Sequence, residues 1–328
     1  EQTRYPYPLG NMSDQLAFFD FRPEITDSWE VGTQLSFWNR MLELDFTYYW
    51  SVSHDQIMSV PISHTTGYTT KKFNAGEISN SGIEIRLSGT PVRSARGFQW
   101  DYSLTWTRNK SMVVSLHESL DNLVLGDLWA ASIQARVGEP YGDIYGIGYK
   151  KDNFGRKLIT EDGFAIAGDY QKLGNINPDF MAGFSNTFSW EGFRLSVLID
   201  AQVGGDFFSW GKAIKSLYGN AEETLEGREE WYATHEGSIN QTPIPGVEPD
   251  GYYEEGVKES NGAPNDIPIQ PSWRWYSVYA TDIAEEWIED GTNVRLRELT
   301  LGYSFSSASL KNTPIAALNL SLVGRIPS

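Results

Sequence analysis

Four histidines, His54, His64, His117 and His235, are the side chains best suited to ligate a metal or move a proton near neutral pH. They fall in separate stretches with no ligand spacing among them and read as solvated residues. Asp250, Glu254, Glu255 and Glu259 gather carboxylates as a calcium loop does. The run lacks the Asp/Asn alternation of such a loop, so a solvated acidic segment is expected. The neighbouring acids Glu229/Glu230 and Glu285/Glu286 are adjacent in sequence, whereas glycoside hydrolysis needs two carboxyl groups flanking one bond. Surface charge is the expected role of both pairs. Cys 0 rules out a thiol nucleophile, a disulfide and a thiolate metal site. Gly146-Ile147-Gly148 is not followed by a third glycine, and no phosphate loop, G-x-S-x-G elbow or H-E-x-x-H motif occurs. The chain is expected to be no enzyme, with no cofactor and no metal.

Aromatic residues are the other candidates. Trp273, Trp275 and Tyr276 cluster in one stretch, with Tyr252 and Tyr253 upstream. Their faces suit sugar rings or a covering protein, because each offers apolar area with a polar edge. The alternative is that these rings fold their loop onto its support.

Positioning such residues requires a scaffold, and the composition points to β-structure: 12 Trp, 17 Tyr, 16 Phe and 31 Gly in 328 residues. A formal net charge of -17 argues against nucleic acid as a partner. No apolar run approaches the roughly 20 residues of a membrane-spanning helix, which says nothing of strands. Alternation of period two marks Asp27 to Trp38 paired with Met41 to Ser51 across Asn39-Arg40, and Ser79 to Thr90 paired with Phe98 to Asn109. It continues in Phe180 to Trp190 with Phe193 to Phe207, joined by Glu191-Gly192, and in Asn293 to Phe305 with Ala316 to Gly324. Long connections are expected over His54 to Ile78, Ser111 to Asp179 and Ser209 to Thr292. Within the last, Asn220 to Glu236 favours a short surface helix and Pro243 to Pro271 an irregular path.

Short turns at one end and long loops at the other are the layout of an outer-membrane barrel. In LELDFTYYW (Leu42 to Trp50) the even positions are apolar and Glu43, Asp45 and Thr47 lie opposite. A barrel turns the apolar side to lipid and the polar side to a wet lumen, whereas a soluble sandwich buries the apolar side. Glu43, Asp45, Arg86, Asp101, Arg194 and Asp200 are accordingly expected to face the lumen. Strands of about ten residues, aromatic residues near their ends and inner faces of mixed charge favour the membrane.

Several fragments resemble SusC/RagA-like TonB-dependent outer-membrane transporters. They are FRPEITDSWEVGTQL (Phe21 to Leu35), NAGEISNSGIEIRLSGTPV (Asn74 to Val92), VGEPYGDIYGIGYK (Val137 to Lys150), LGNINPDFMAGFSNTFSWEGFRLS (Leu173 to Ser196), DAQVGGDFFSW (Asp200 to Trp210) and NVRLRELTLGYSF (Asn293 to Phe305). The resemblance runs in order along nearly the whole chain. It implies an all-β, antiparallel transmembrane β-barrel segment, part of a 22-stranded barrel with short periplasmic turns and long extracellular loops. It further implies import of glycan or peptide fragments across the outer membrane of a Gram-negative bacterium. The partners would be TonB, reached through an N-terminal part outside this chain, and a SusD-like lipoprotein lid. Residues 1–328 are expected to be a C-terminal portion without a plug domain. Ile326-Pro327-Ser328 stands where a terminal aromatic strand end is expected, and the segment alone is expected neither to insert nor to transport. The rival readings are a secreted β-sandwich that binds glycans and an outer-membrane hydrolase barrel.

Overall fold

The computed structural model describes residues 15–16, 21–118, 120–237, 242–305, 310–311 and 314–326. Pro327 and Ser328 therefore lie outside the described residues. Twelve strands carry the architecture: β1 (Ile25–Phe37), β2 (Leu42–Pro61), β3 (Thr70–Arg93), β4 (Gln99–Leu116), β5 (Asn122–Leu128), β6 (Ala131–Arg136), β7 (Asp143–Tyr149), β8 (Ala167–Asn175), β9 (Pro178–Trp190), β10 (Phe193–Gly204), β11 (Asn293–Ser304) and β12 (Asn319–Arg325). The main sheet has the order β12-β11-β10-β9-β4-β3-β2-β1, with every neighbouring pair antiparallel. Gln15–Leu16 adds a short parallel bridge to β3. The four hairpins expected from alternation are all present.

The turns follow their residues. Glu191 and Gly192 have φ of 46° and 92°, the left-handed pair that a two-residue hairpin demands. The first turn is longer than the sequence suggested. Phe37 pairs with Leu42, leaving Trp38 to Met41 to turn with three positive φ values, at Trp38, Asn39 and Arg40. Pro91 falls where the β3/β4 register slips between Gly89 and Val92, a place where a missing N–H is tolerated. Gly82 leaves room for a close approach: the Tyr49 ring lies over it, its hydroxyl reaching Asn109 at 3.1 Å, and a Cβ there would push the ring aside.

The expected long loops hold more structure than the sequence implied. His54 to Ile78 is mostly strand, because β2 and β3 run on to Pro61 and from Thr70. Two register shifts around Gln56 break the alternation that would have revealed this. Ser111 to Asp179 contains a second sheet of order β8-β7-β6-β5. The last connection carries α1 (Trp210–Leu217), α2 (Arg228–Thr234) and α3 (Pro271–Ala280). The helix expected within Asn220 to Glu236 is α2. Beyond Pro271, where no element was expected, Trp273, Trp275 and Tyr276 lie on α3, since Pro271 at its first turn is preset for a helix.

The buried core lies in this loop assembly, not under the main sheet. Tyr149, Ala213, Trp275, Val278, Ile283 and Trp287 form its largest cluster, tying β7 to α1 and α3. Val60, Val113, Leu123 and Ala135 join the far ends of β2 and β4 to the second sheet. The Val, Leu and Ile side chains among them each gain roughly 1.5–3 kcal/mol by leaving water. Leu44, Phe46, Ile85 and Val197 belong to no buried cluster among the described residues and are half-buried on a sheet one layer thick.

Candidate lumenal surface and loop assembly

Strand register decides which residues share a face. One row of directly paired residues runs Leu35, Leu44, Leu87, Leu104, Phe184, Ile199 and Leu296 across seven strands. One residue along each strand, the adjacent row runs Gln34, Asp45, Arg86, Thr105, Gly183, Asp200 and Arg295. A continuous apolar row thus backs onto a row that is polar at every position but Gly183. No second layer covers the apolar face among the described residues, where Leu301 is 52% and Leu322 76% exposed. A β-sandwich would need that layer.

Glu43, Asp45, Arg86, Asp101, Arg194 and Asp200 fall on the polar face by this register, each at an even spacing along its strand from the polar row. Arg86 meets Asp45 at 3.1 Å, and Arg297 meets Asp200 at 2.8 Å. Arg40 approaches Glu43 at 3.6 Å, while Asp101 accepts hydrogen bonds from Thr90 at 2.6 Å and Gln99 at 2.8 Å. Arg194 stands exposed at the short-turn end, opposite Ser189. Two open hollows indent this face, of about 330 and 410 Å³. Thr105 and Thr107 line both, with Asp200, Gln202, Arg295 and Arg297 in one and Asp45, Glu84 and Arg86 in the other. The opposed charges pair across strands, so the face offers hydrogen-bonding capacity without a strong field of one sign.

The aromatic candidates separate. Trp275 is 4% exposed and packs on Trp287, so it builds the loop core and is not presented outward. Trp273 and Tyr276, 49% and 52% exposed, meet edge to face on the outer side of α3, and Tyr253 is exposed as well. Tyr252 is half-buried against the Arg274 guanidinium, and burial with the nearby Glu254 charge pushes its phenol up to about 12.

Arg274 is the node of this assembly. It is buried, bonds Glu254 at 2.7 Å and Glu286 at 3.3 Å, and lies over the Trp275 ring at 3.8 Å. Lys157 reaches Glu254 at 3.1 Å and sits 4.0 Å over the Tyr149 ring. The Tyr149 hydroxyl donates to Glu286 and its backbone N–H to Glu285 at 2.8 Å. Burial alone would raise the Glu254 carboxyl, but Arg274 and Lys157 hold it below the ordinary carboxylate range. Burial likewise opposes the Arg274 charge, and Glu254 with Glu286 overcomes it. Glu285 and Glu286 are thus half-buried staples, not the surface charge the sequence suggested, because Arg274 of α3 reaches Glu286 while Lys151 and the Tyr149 N–H hold Glu285. Glu229 and Glu230 are exposed in the first turn of α2, where negative charge complements the helix dipole. No cluster of three metal-ligating side chains occurs among the described residues.

A family model described as "TonB dependent receptor-like, beta-barrel" matches residues 3–235. The chain belongs to this family. Among curated TonB-dependent receptors, P3 of Formosa agariphila is 23% identical over 327 residues, covering 92% of this chain and 29% of that one. P39 of the same organism is 24% identical over 355 residues, with 90% and 30% covered. Among solved structures, the RagAB peptide transporter superposes with a TM-score of 0.64 at 15% identity, over 92% of this chain and 31% of that one. The RagAB peptide importer in its 'closed-closed' state gives 0.61, also at 15% identity, with 92% and 31% covered. The fold is therefore that of a TonB-dependent β-barrel, in the RagA-like form that the sequence fragments resemble. The chain spans about three tenths of the length of the receptors it matches, and the main sheet does not close on itself among the described residues.

Proposed function

We propose that this chain is part of the wall and outer loops of an outer-membrane transporter of a Gram-negative bacterium. The transporter imports oligosaccharide or peptide fragments under a SusD-like surface lipoprotein. Energy comes from TonB, which engages a part of the protein outside this chain. The wall follows in order the C-terminal part of SusC/RagA-like transporters, and its plug comes from elsewhere in the polypeptide. The observation that carries this reading is the pairing of an unbroken apolar row with a row free of apolar side chains on a sheet one layer thick. Water fits only one of those faces. On the polar side Glu43, Asp45, Arg86, Asp101, Arg194 and Asp200 keep a column of water along which a polar solute passes without losing its hydration.

The loop assembly gathers at the end away from the short turns and presents Trp273, Tyr276 and Tyr253 to solvent, where a substrate or the lipoprotein can meet them. Trp275 is excluded from that role by its burial. The test replaces Trp273 and Tyr276 by alanine in the full transporter and follows uptake of labelled peptides and labelled oligosaccharides, together with co-purification of the lipoprotein. A loss of about tenfold in uptake of one substrate class, or in lipoprotein capture, is expected, on the scale of aromatic contacts at interfaces. Unchanged uptake of both classes with unchanged capture would remove these rings from the site.

A further inference from the structure

The outward face carries one feature that transport does not require. Register places Arg108 opposite Ile83 and Lys110 opposite Ser81, and these pair in turn with Tyr48 and Trp50. Both cations therefore extend the row of Trp100, Tyr102, Leu104 and Trp106 on the lipid-facing side of β4. They are exposed, and neither makes an ion pair or side-chain hydrogen bond among the described residues. Outward on the same strands, the acids Asp27 and Glu77 flank His54 at 3.5 and 2.7 Å.

Their height is set by strand geometry. From the short-turn aromatic Trp100 to Arg108 and Lys110 is roughly 27 to 34 Å along the strand, or about 19 to 24 Å along the membrane normal at a tilt near 45°. The apolar band of such barrels is about 25 Å tall. The two cations thus stand at its far border, on the loop side, beside Tyr48 and Trp50. Two unpaired cations about 7 Å apart are costly against acyl chains and favourable against anionic headgroups.

We infer that Arg108 and Lys110 form a docking point for the phosphate headgroup of an outer-leaflet lipid. The net charge of -17 makes the choice of partner sharper, because the chain as a whole repels anions and this pair is a local exception. The Ser81 hydroxyl, between Trp50 and Lys110 in the row, is placed to donate to the same phosphate. The inference rests on the membrane reading above.

The test uses the full transporter in mild detergent, with native mass spectrometry after addition of synthetic bis-phosphorylated lipid A, its dephosphorylated counterpart, or inorganic phosphate as competitor. Wild type is expected to retain the phosphorylated lipid and not the dephosphorylated one, and inorganic phosphate is expected not to displace it. R108Q/K110Q weakens retention about thirty-fold, from two basic contacts to an anionic headgroup, and R108K/K110R preserves it. Equal retention of the two lipids by wild type overturns the proposal without any variant. So does displacement by inorganic phosphate, or undiminished retention by a correctly inserted R108Q/K110Q. Heat-modifiable electrophoretic mobility reports insertion separately, so loss of the docking point and loss of the barrel reading give different results.

Discussion

Glu254 and Arg274 show how the loop assembly is held at the level of single residues. Their side chains are 1% and 5% exposed and 2.7 Å apart, and Lys157 and Glu286 complete the set. Removing one partner leaves the other charge buried, which costs about 3–5 kcal/mol. In the full transporter, Glu254→Gln is therefore expected to speed hydrogen exchange of the α3 amides about a hundredfold or more, whereas Glu230→Gln on the exposed face of α2 leaves them unchanged. Equal exchange in the two variants would deny the staple. The pH dependence has a definite sign. Because the folded carboxyl of Glu254 lies below its ordinary value, its stabilisation is complete above about pH 4.3 and fades as acid takes the pH through the folded value. Exchange of α3 should accordingly be flat from pH 8 to 5 after correction for intrinsic rates and rise below that range, a rise that Glu254→Gln abolishes.

At the scale of elements, the alternation within β4 makes neighbouring positions unequal. Leu104→Arg places a cation on the apolar face and is expected to cost about 2–4 kcal/mol in unfolding from lipid vesicles. Thr105→Arg, one residue along, enters the polar face beside Asp200 and Arg86 and is expected to cost less than about 1 kcal/mol. Similar costs for the two would contradict the register. The same alternation is why eight strands and the six polar-face residues were legible in the sequence. Arg295 and Arg297 obey it too and were readable from Asn293 onward. Glu298 was not, because the slip between Leu198/Ile199 and Leu296/Glu298 moves it to the polar side. The second sheet escaped for a different reason: β6 and β7 are buried on both faces, so period two is absent there. The sequence left two roles open for Trp273, Trp275 and Tyr276, and the helix divides them: residues two apart such as Trp273 and Trp275 point to different sides, so Trp275 packs on Trp287 while Trp273 stays exposed.

The whole molecule divides into a thin sheet, whose two faces differ in chemistry, and a packed loop assembly at one end that owns the buried clusters. That division follows from solvent. A sheet with water on one side and acyl chains on the other needs no covering layer, whereas loops in water must build a core of their own. The central claim is therefore about what each face touches. This chain has no cysteine of its own, so single spin labels can be placed at each position from 99 to 110 of the full transporter in lipid once any cysteine outside the chain is replaced. The account predicts oxygen accessibility peaking at 100, 102, 104 and 106 and water-soluble nickel accessibility peaking at 101, 103, 105 and 107, the two series out of phase. Exclusion of both probes from 100, 102, 104 and 106 would mean a sealed dry interior and would contradict it.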